Sequence, residues 1–208
     1  MDKIDYYNRM FRAGRDKEWD KAPGKTVLVN AFKELGEDVG FGTVLDVGCG
    51  TGCLLSLIYD AVKKQGLKFF GIDISEAAIN LAKGRYPAIR FRVEDGMDTS
   101  FKDESIGILT GYGVYEHFDN PEGGIKEIAR ILTPSGIFLL MIPALGHYRD
   151  DRNDEGWYED KTGQPQWNFF RKTWEDFFNK YNLKLSSQEE ALKYGAKNPG
   201  CFFFGRKI

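Results

Sequence analysis

Residues 44–52 read VLDVGCGTG, and this stretch decides the fold. A short aliphatic run ends at Val47, and glycines follow at positions 48, 50 and 52. The run is typical of a buried parallel strand, and the glycines permit a sharp turn and a close approach of the backbone to a ligand. A helical pattern begins directly after them, so its N-terminus would favour an anionic group. The stretch predicts a strand, a turn and a helix, with a ligand site where the strand ends.

Strand and helix patterns alternate on the C-terminal side of this unit. The strand patterns occupy residues 43–47, 67–72, 89–93, 105–110 and 137–142, and the helix patterns occupy residues 52–65, 75–82 and 120–132. Ser75 and Asn120 are suitable N-caps, and residues 133–136 have the composition of a turn. This alternation predicts a parallel sheet with helices on both faces.

The C-terminal part of the chain has a different rhythm. We predict a helix over residues 173–181 and two strands over residues 183–192 and 200–208, joined by turn residues into an antiparallel hairpin. The predicted fold class is therefore α/β, with a doubly wound, mostly parallel, seven-stranded sheet and an antiparallel C-terminal hairpin. Residues 1–40 are predicted to form a helical extension or lid, and residues 41–208 the main domain.

Composition limits the classes of function. With 208 residues, 42% hydrophobic and 29% charged, the chain is typical of one globular domain. A net charge of −2 disfavours a nucleic-acid partner. The N-terminus lacks a signal peptide and no apolar run is long enough for a membrane span, which predicts a cytoplasmic protein. The three cysteines predict neither disulfides nor a zinc site, and residues 150–155 are typical of a solvated loop, so no metal is predicted. The sequence does not specify the oligomeric state.

Two acidic residues narrow the choice of ligand. Asp73 ends the second strand, about 20 residues beyond the glycines, where a carboxylate can accept hydrogen bonds from both hydroxyls of a ribose. Asp46 directly precedes the glycines, so it would repel a pyrophosphate and suit an ammonium group. A dinucleotide site prefers G-x-G-x-x-G/A, whereas here Cys53 occupies the third position. An NAD-dependent oxidoreductase and a non-catalytic binding module remain alternatives.

Several motifs in order give the chain a family resemblance. VLDVGCGTG at 44–52, GIDIS at 71–75, FRVEDGMD at 91–98 and the segment 111–143 resemble the motifs of class I S-adenosylmethionine-dependent methyltransferases of the small-molecule type. The resemblance runs from residue 43 to residue 143. It implies a Rossmann-like methyltransferase fold, S-adenosylmethionine as cofactor, and in-line transfer of a methyl group to a small-molecule acceptor.

The resemblance also implies which residues contact the cofactor. They are Asp46, Gly48, Cys49, Gly50, Gly52, Asp73, Ile74, Asp95, Gly96, Met97, Gly111 and Tyr112. By this resemblance the glycine turn lines the methionine part, Asp46 meets the ammonium group through water, and Asp73 holds the ribose. The residues that end the fourth strand border the sulfonium.

The adenine contacts come from the segments after the second and third strands. The resemblance implies that Ile74 packs on the ring and that Asp95 accepts a hydrogen bond from the adenine amino group. The backbone amide of Gly96 or Met97 would donate to a ring nitrogen. Because Asp98 follows so closely, the choice of the adenine-binding carboxylate stays open.

Candidate catalytic residues follow the fourth and fifth strands. We predict His147, His117 and Tyr115 as candidate catalytic residues, with either histidine as a general base, which helps when the acceptor is a hydroxyl, typically by about 10²–10⁴-fold. Structural roles are the alternative for each of them. Residues 143–170 are rich in aromatic side chains without a clear period, and we predict that they form a substrate-covering insertion, with a packing anchor as the alternative.

Overall fold

The computed structural model describes residues 2–14, 17, 20–22, 24–36, 42–62, 66–146, 154–159 and 164–208. Within these ranges, no helix combines the length and the apolar character needed to cross a membrane.

A seven-stranded sheet forms the centre of the molecule. Its strands and those of a separate two-stranded sheet are, in chain order, β1 Gly42–Val47, β2 Leu67–Asp73, β3 Arg90–Val93, β4 Ile106–Tyr112, β5 Leu132–Met141, β6 Gly156–Glu159, β7 Pro165–Asn168, β8 Leu183–Leu185 and β9 Phe202–Lys207. The large sheet has the order β3-β2-β1-β4-β5-β9-β8. Strands β1 to β5 pair in parallel, and β9 pairs antiparallel with both β5 and β8. The predicted fold class is confirmed.

Helices cover both faces of this sheet. They are α1 Lys3–Arg12, α2 Gly24–Leu35, α3 Cys53–Val62, α4 Glu76–Arg85, α5 Pro121–Ile131, α6 Arg171–Lys180 and α7 Gln188–Lys193. Both predicted N-caps are confirmed: the Ser75 hydroxyl accepts from the Ala78 amide at 3.2 Å, and the Asn120 side chain accepts from the Gly123 amide at 3.0 Å. These bonds satisfy amide groups that a helix leaves without internal partners.

The core is divided by the sheet into two clusters. Along β5, Ile137 and Leu139 belong to one cluster, whereas Phe138 and Leu140 belong to the other. Successive side chains of a strand point to opposite faces, and a strand buried on both faces reads as a continuous apolar run. This is why residues 137–142 show no alternation of apolar and polar residues.

The prediction of a strand over residues 183–192 is wrong beyond Leu185. Residues 188–193 form helix α7 instead, in which Ala191 is buried and Leu192 is exposed. The sequence QEEALK consists of good helix formers, so local helix propensity prevails over the continued strand. The antiparallel pairing of β8 with β9 is nevertheless as predicted.

Strand β5 begins earlier than predicted. The register jumps from Ile106 opposite Leu132 to Ile108 opposite Ile137, so the turn residues 133–136 lie inside the strand as an irregularity. Ser135 has a positive φ of 61°, which preserves the turn geometry that its neighbours predicted.

The two-stranded sheet of β6 and β7 was not predicted. Its strands have four residues each, and Trp157 pairs with Trp167 across them at a ring separation of 5.3 Å. Trp167 also stacks on Phe169, which contacts Trp174 of α6. Part of the aromatic content of residues 143–170 therefore anchors this small sheet to the main domain.

Candidate active site

A cavity of about 1010 Å³ opens at the carboxyl ends of the parallel strands. This volume is at the upper end of the range of roughly 300–1,000 Å³ for small-molecule sites. Its wall is built from the glycine turn, the ends of β1, β2 and β4, helix α1, and the segment that enters β7. The lining residues include Tyr7, Asp46, Gly48, Gly50, Asp73, Ile74, Asp95, Val114, Glu116, His117, Met141 and Gln164.

The glycine turn follows β1 and requires glycine for two separate reasons. Gly48, Gly50 and Gly52 have φ values of 64°, 52° and 81°, a region that other residues rarely adopt. In addition, a Cβ atom on Gly48 would lie 2.3 Å from Cγ2 of Val114. Above Gly50 the nearest atom among the described residues is 3.5 Å from the Cβ position and belongs to Phe11 of α1. Gly48 therefore permits close packing, whereas Gly50 faces the cavity.

Asp73 is the last residue of β2, and its side chain connects this strand to the glycine turn through a hydrogen bond. One carboxylate oxygen accepts from the Gly50 amide at 2.9 Å, and the other accepts from the Ser75 amide at 2.8 Å. Burial raises the pKa of Asp73 to about 6, and these two amides act in the opposite direction. Each oxygen keeps a second acceptor site, so the carboxylate can still receive hydrogen bonds from a ligand.

Asp46 is almost fully buried at the end of β1, with 2% of its surface exposed. Its Oδ1 accepts from the Thr110 hydroxyl of β4 at 2.8 Å. Burial raises its pKa to about 7, although the Thr110 hydrogen bond and the positive charge of Lys25 both act to lower that pKa. A cation placed in the cavity beside Asp46 would favour the ionised form.

The predicted adenine-binding residues occupy one section of the wall. Ile74, Asp95, Gly96 and Met97 all line the cavity, whereas Asp98 does not. This placement favours Asp95 as the adenine-binding carboxylate. The Met97 amide donates to Asp95 Oδ1 at 2.9 Å, so Gly96 is the better candidate for donating an amide hydrogen bond to a ligand.

Some predicted site residues lie behind the cavity wall. Gly52 and Gly111 are not among the lining residues. A Cβ on Gly52 would lie 2.7 Å from the Phe91 ring, and one on Gly111 would lie 2.9 Å from the Tyr115 ring, so both glycines serve packing. Tyr115, which was predicted as a catalytic residue, is not brought to the cavity: its side chain is 1% exposed, does not line the cavity and packs edge-on against Phe118.

His117 lies on the cavity wall, in a short 3₁₀ turn at Tyr115–His117 after β4. Its Nε2 lies 3.1 Å from the Gln164 side-chain nitrogen and 3.5 Å from Glu116 Oε1. The other predicted histidine, His147, lies outside the described residues, as does most of the acidic run at 150–155. Glu155, which ends that run, accepts hydrogen bonds from the Phe170 amide and the Thr173 hydroxyl at the start of α6.

Helix α1, near the N-terminus of the chain, forms part of the cavity wall. Its Asn8 side chain accepts from the Ser75 hydroxyl at 2.8 Å and from the Ala77 amide at 3.0 Å, which fixes the helix to α4. Its Tyr7 hydroxyl accepts from the Gln164 side chain at 3.2 Å. Helix α1 and the segment before β7 therefore meet at the cavity wall.

Four residues line the cavity although the sequence motifs do not predict them: Tyr7, Lys25, Glu116 and Gln164. Gln164 and Tyr7 come from segments without a recognisable motif, so only the tertiary structure brings them to the site. Glu116 is the exception, because its position beside His117 was a usable signal.

These residues fit the cofactor that the motifs imply. S-adenosylmethionine carries an ammonium and a sulfonium, and two buried carboxylates, Asp46 and Asp73, face the cavity. Lys25 also lines the wall and supplies a positive charge for a carboxylate. The open backbone at Gly50 provides room for a ligand directly against the turn.

Comparison with known proteins agrees with this geometry. The model of a family described as "Methyltransferase domain" matches residues 11–188. The chain belongs to this family. The match includes the glycine turn, Asp73 and the 3₁₀ turn of His117, and it favours a class I S-adenosylmethionine-dependent methyltransferase over a dehydrogenase.

Two curated relatives of this methyltransferase family have names that describe them as quinone methyltransferases. A demethylmenaquinone methyltransferase of Chlorobaculum parvum is 28% identical over 142 residues, which cover 68% of this chain and 55% of the relative. A 2-phytyl-1,4-naphtoquinone methyltransferase of Thermosynechococcus vestitus is 35% identical over 98 residues, covering 45% of this chain and 43% of the relative. The chain spans about half the length of the curated relatives it matches.

A solved structure shows the same fold over nearly the whole chain. A methyltransferase of Haloferax volcanii, determined in complex with the Trm112 methyltransferase activator, superposes with a TM-score of 0.73. The alignment covers 97% of each chain at 19% sequence identity. It supports the architecture described above, and it carries no information on the acceptor.

Proposed function

We propose that this protein transfers a methyl group from S-adenosylmethionine to a small-molecule acceptor bound in the same cavity. The observation that carries the proposal is the continuity of that cavity. A single space of about 1010 Å³ is lined both by the glycine turn with Asp73 and by the turn of Glu116 and His117. A site that held the cofactor alone would need no second polar wall.

The cofactor, when bound, supplies a methyl group on a sulfonium that is already a good leaving group. The chain therefore needs mainly to position two molecules and to exclude water. Asp73, with its carboxylate oriented by the Gly50 and Ser75 amides, would hold the ribose. Asp46 would balance the ammonium group, and Asp95 with Gly96 would hold the adenine.

The cover of the site would exclude water. Tyr7 and Phe11 of α1 and Gln164 before β7 all line the cavity. The Gln164 contact with Tyr7 joins the two covering segments.

An apolar acceptor suits the remaining wall. Val114, Phe118, Met141 and Phe202 line the cavity, and the names of two relatives give quinones, which are flat ring compounds, as their substrates. We therefore place the acceptor among ring-containing small molecules.

Binding of the cofactor is expected to release protons. With a pKa of about 7, Asp46 is about half protonated at neutral pH, and an ammonium group beside it lowers that pKa. Calorimetric titration of S-adenosylmethionine at pH 6.5–7, repeated in buffers of different ionisation enthalpy, measures the release. We expect fewer protons to be released when the cofactor binds to Asp46→Asn, because this variant lacks the carboxyl group of Asp46. Proton uptake, or equal release from both proteins, would show that Asp46 does not meet the cation.

A methyl-transfer assay tests the proposed function. The purified protein is incubated with S-adenosylmethionine labelled in its methyl group and with a panel of phenols, naphthols and amines. Labelled product above the level of an Asp73→Ala control supports the proposal. Cofactor binding without transfer to any panel member favours the non-catalytic alternative.

The three cysteines support a cytoplasmic location, which we also propose. Cys49, Cys53 and Cys201 are all free thiols. Unpaired cysteines are typical of reducing compartments.

A further inference from the structure

The strongest unexplained feature of the cavity is the carboxyl group of Glu116. This side chain is 2% exposed and lines the cavity. Its Oε2 atom is buried and has no hydrogen-bond partner among the described residues. Buried polar atoms in folded proteins are almost always paired, because an unpaired one costs free energy. An unpaired carboxyl oxygen on a cavity wall indicates that a ligand completes its hydrogen bonding.

The neighbours of Glu116 are polar but do not neutralise it. Within the described part of the chain, His117 is the one basic side chain within 4.0 Å, with Nε2 at 3.5 Å from Oε1. Nε2 of His117 also contacts Gln164, which in turn donates to Tyr7. Burial raises the pKa of Glu116 to about 8, which agrees with a carboxyl group that lacks a strong cationic partner.

The surroundings also indicate what kind of group can approach. Glu116 Oε1 and Met141 Cε lie 3.4 Å and 3.8 Å from the position of a Cβ on Gly113, and both residues line the cavity. An anionic group would face a carboxyl there and a hydrocarbon surface beside it. A hydrogen-bond donor carried on an apolar ring satisfies both.

We infer that Glu116 is an acceptor-binding residue and that the methyl acceptor carries a hydroxyl group that donates a hydrogen bond to Glu116 Oε2. This inference rests on the proposed function. It deepens that function by naming the substrate class, a hydroxyl-bearing ring compound.

Matched naphthalene probes test the inference through binding, without turnover. Protein saturated with S-adenosylhomocysteine is titrated with 2-naphthol, with 2-methoxynaphthalene, which lacks the donor, and with 2-naphthoate, which is anionic. Because the pKa of Glu116 is about 8, the titrations are made at about pH 9, where most of the carboxyl group is ionised and both of its oxygens can only accept. A hydrogen bond to a charged group then corresponds to about 10–100-fold in affinity. We expect 2-naphthol to bind to the wild-type protein about 10–100-fold more tightly than either of the other two probes.

Variants assign that preference to Glu116. Glu116→Met keeps the length of the side chain and removes both oxygens, so 2-naphthol and 2-methoxynaphthalene should bind to it equally. Glu116→Gln keeps one carbonyl acceptor and should retain part of the preference. Glu159→Gln changes an exposed carboxylate on β6 and should behave as wild type. Thermal unfolding confirms that each variant is folded. If Glu116→Met does not fold, the test relies on Glu116→Gln alone.

The outcomes separate this inference from the proposed function. If S-adenosylhomocysteine binds but 2-naphthol shows no preference over 2-methoxynaphthalene, or the preference survives in Glu116→Met, the inference is overturned and the proposed function stands. If Glu116→Gln is the only folded variant, an undiminished preference overturns it equally. If S-adenosylhomocysteine does not bind to the wild-type protein, the proposed function itself fails, and the inference fails with it.

Discussion

Replacing Asp73 by alanine is expected to weaken the binding of S-adenosylmethionine by at least about 100-fold. Hydrogen bonds to charged groups contribute roughly 1.5–3 kcal/mol each, and the carboxylate would hold two ribose hydroxyls. The substitution also removes the acceptors of the Gly50 and Ser75 amides, so the glycine turn loses its connection to β2. Affinity measured by titration calorimetry gives the effect directly.

Two controls separate the loss of the ligand contact from damage to the turn. Asp98→Ala removes an exposed carboxylate that does not line the cavity, and it should bind the cofactor as wild type does. Asp73→Asn keeps one oxygen, so it should stay folded and show an intermediate loss of affinity. If Asp73→Ala is folded and binds within about threefold of wild type, the ribose contact is assigned to the wrong residue.

Substituting alanine at Gly48 is expected to lower the free energy of unfolding by roughly 2–5 kcal/mol. Positive φ costs a residue other than glycine roughly 1–2 kcal/mol. The new Cβ would also lie 2.3 Å from Val114 Cγ2, and overpacking of this kind costs typically about 1–3 kcal/mol. Urea unfolding of both proteins measures the difference.

Gly146 provides a matched control for this experiment. It also has a positive φ, of 78°, but no atom of the residues that the structure describes lies within 4 Å of its Cβ position. Gly146→Ala should therefore show only the cost of the backbone conformation. Equal losses at both positions would mean that the contact between the glycine turn and Val114 is not tight, which would contradict the described geometry.

Much of the fold could be predicted because local signals and tertiary structure agree. The strand before the glycine turn, the caps at Ser75 and Asn120, and the continuous apolar run of β5 all depend on neighbouring residues. Prediction was wrong where a short segment can adopt either conformation. Residues 188–193 contain helix formers next to a strand, and β6 and β7 are too short to show a period.

The residues of the site also divide into those that local sequence signals predict and those that they do not. Asp46 and Asp73 lie at the carboxyl ends of β1 and β2, and Asp95 follows β3. All three belong to recognisable motifs, so their placement at the cavity was predictable. Tyr7 and Gln164 reach the cavity only through the packing of α1 and the segment before β7, and they are separated by 157 positions in the chain. No local pattern encodes such a contact. Tyr115 is the opposite case: it lies next to a motif in the sequence, but its side chain is buried in the core and does not reach the cavity.

A calorimetric titration of the wild-type protein tests the central claim most directly. S-adenosylmethionine, S-adenosylhomocysteine and NADH are titrated separately into the purified protein at pH 7. If the glycine turn, Asp46 and Asp73 form the proposed site, the first two ligands bind at one site per chain and NADH gives no binding heat. Binding of NADH in preference to S-adenosylmethionine, or no binding of S-adenosylmethionine and its demethylated product, would contradict the account.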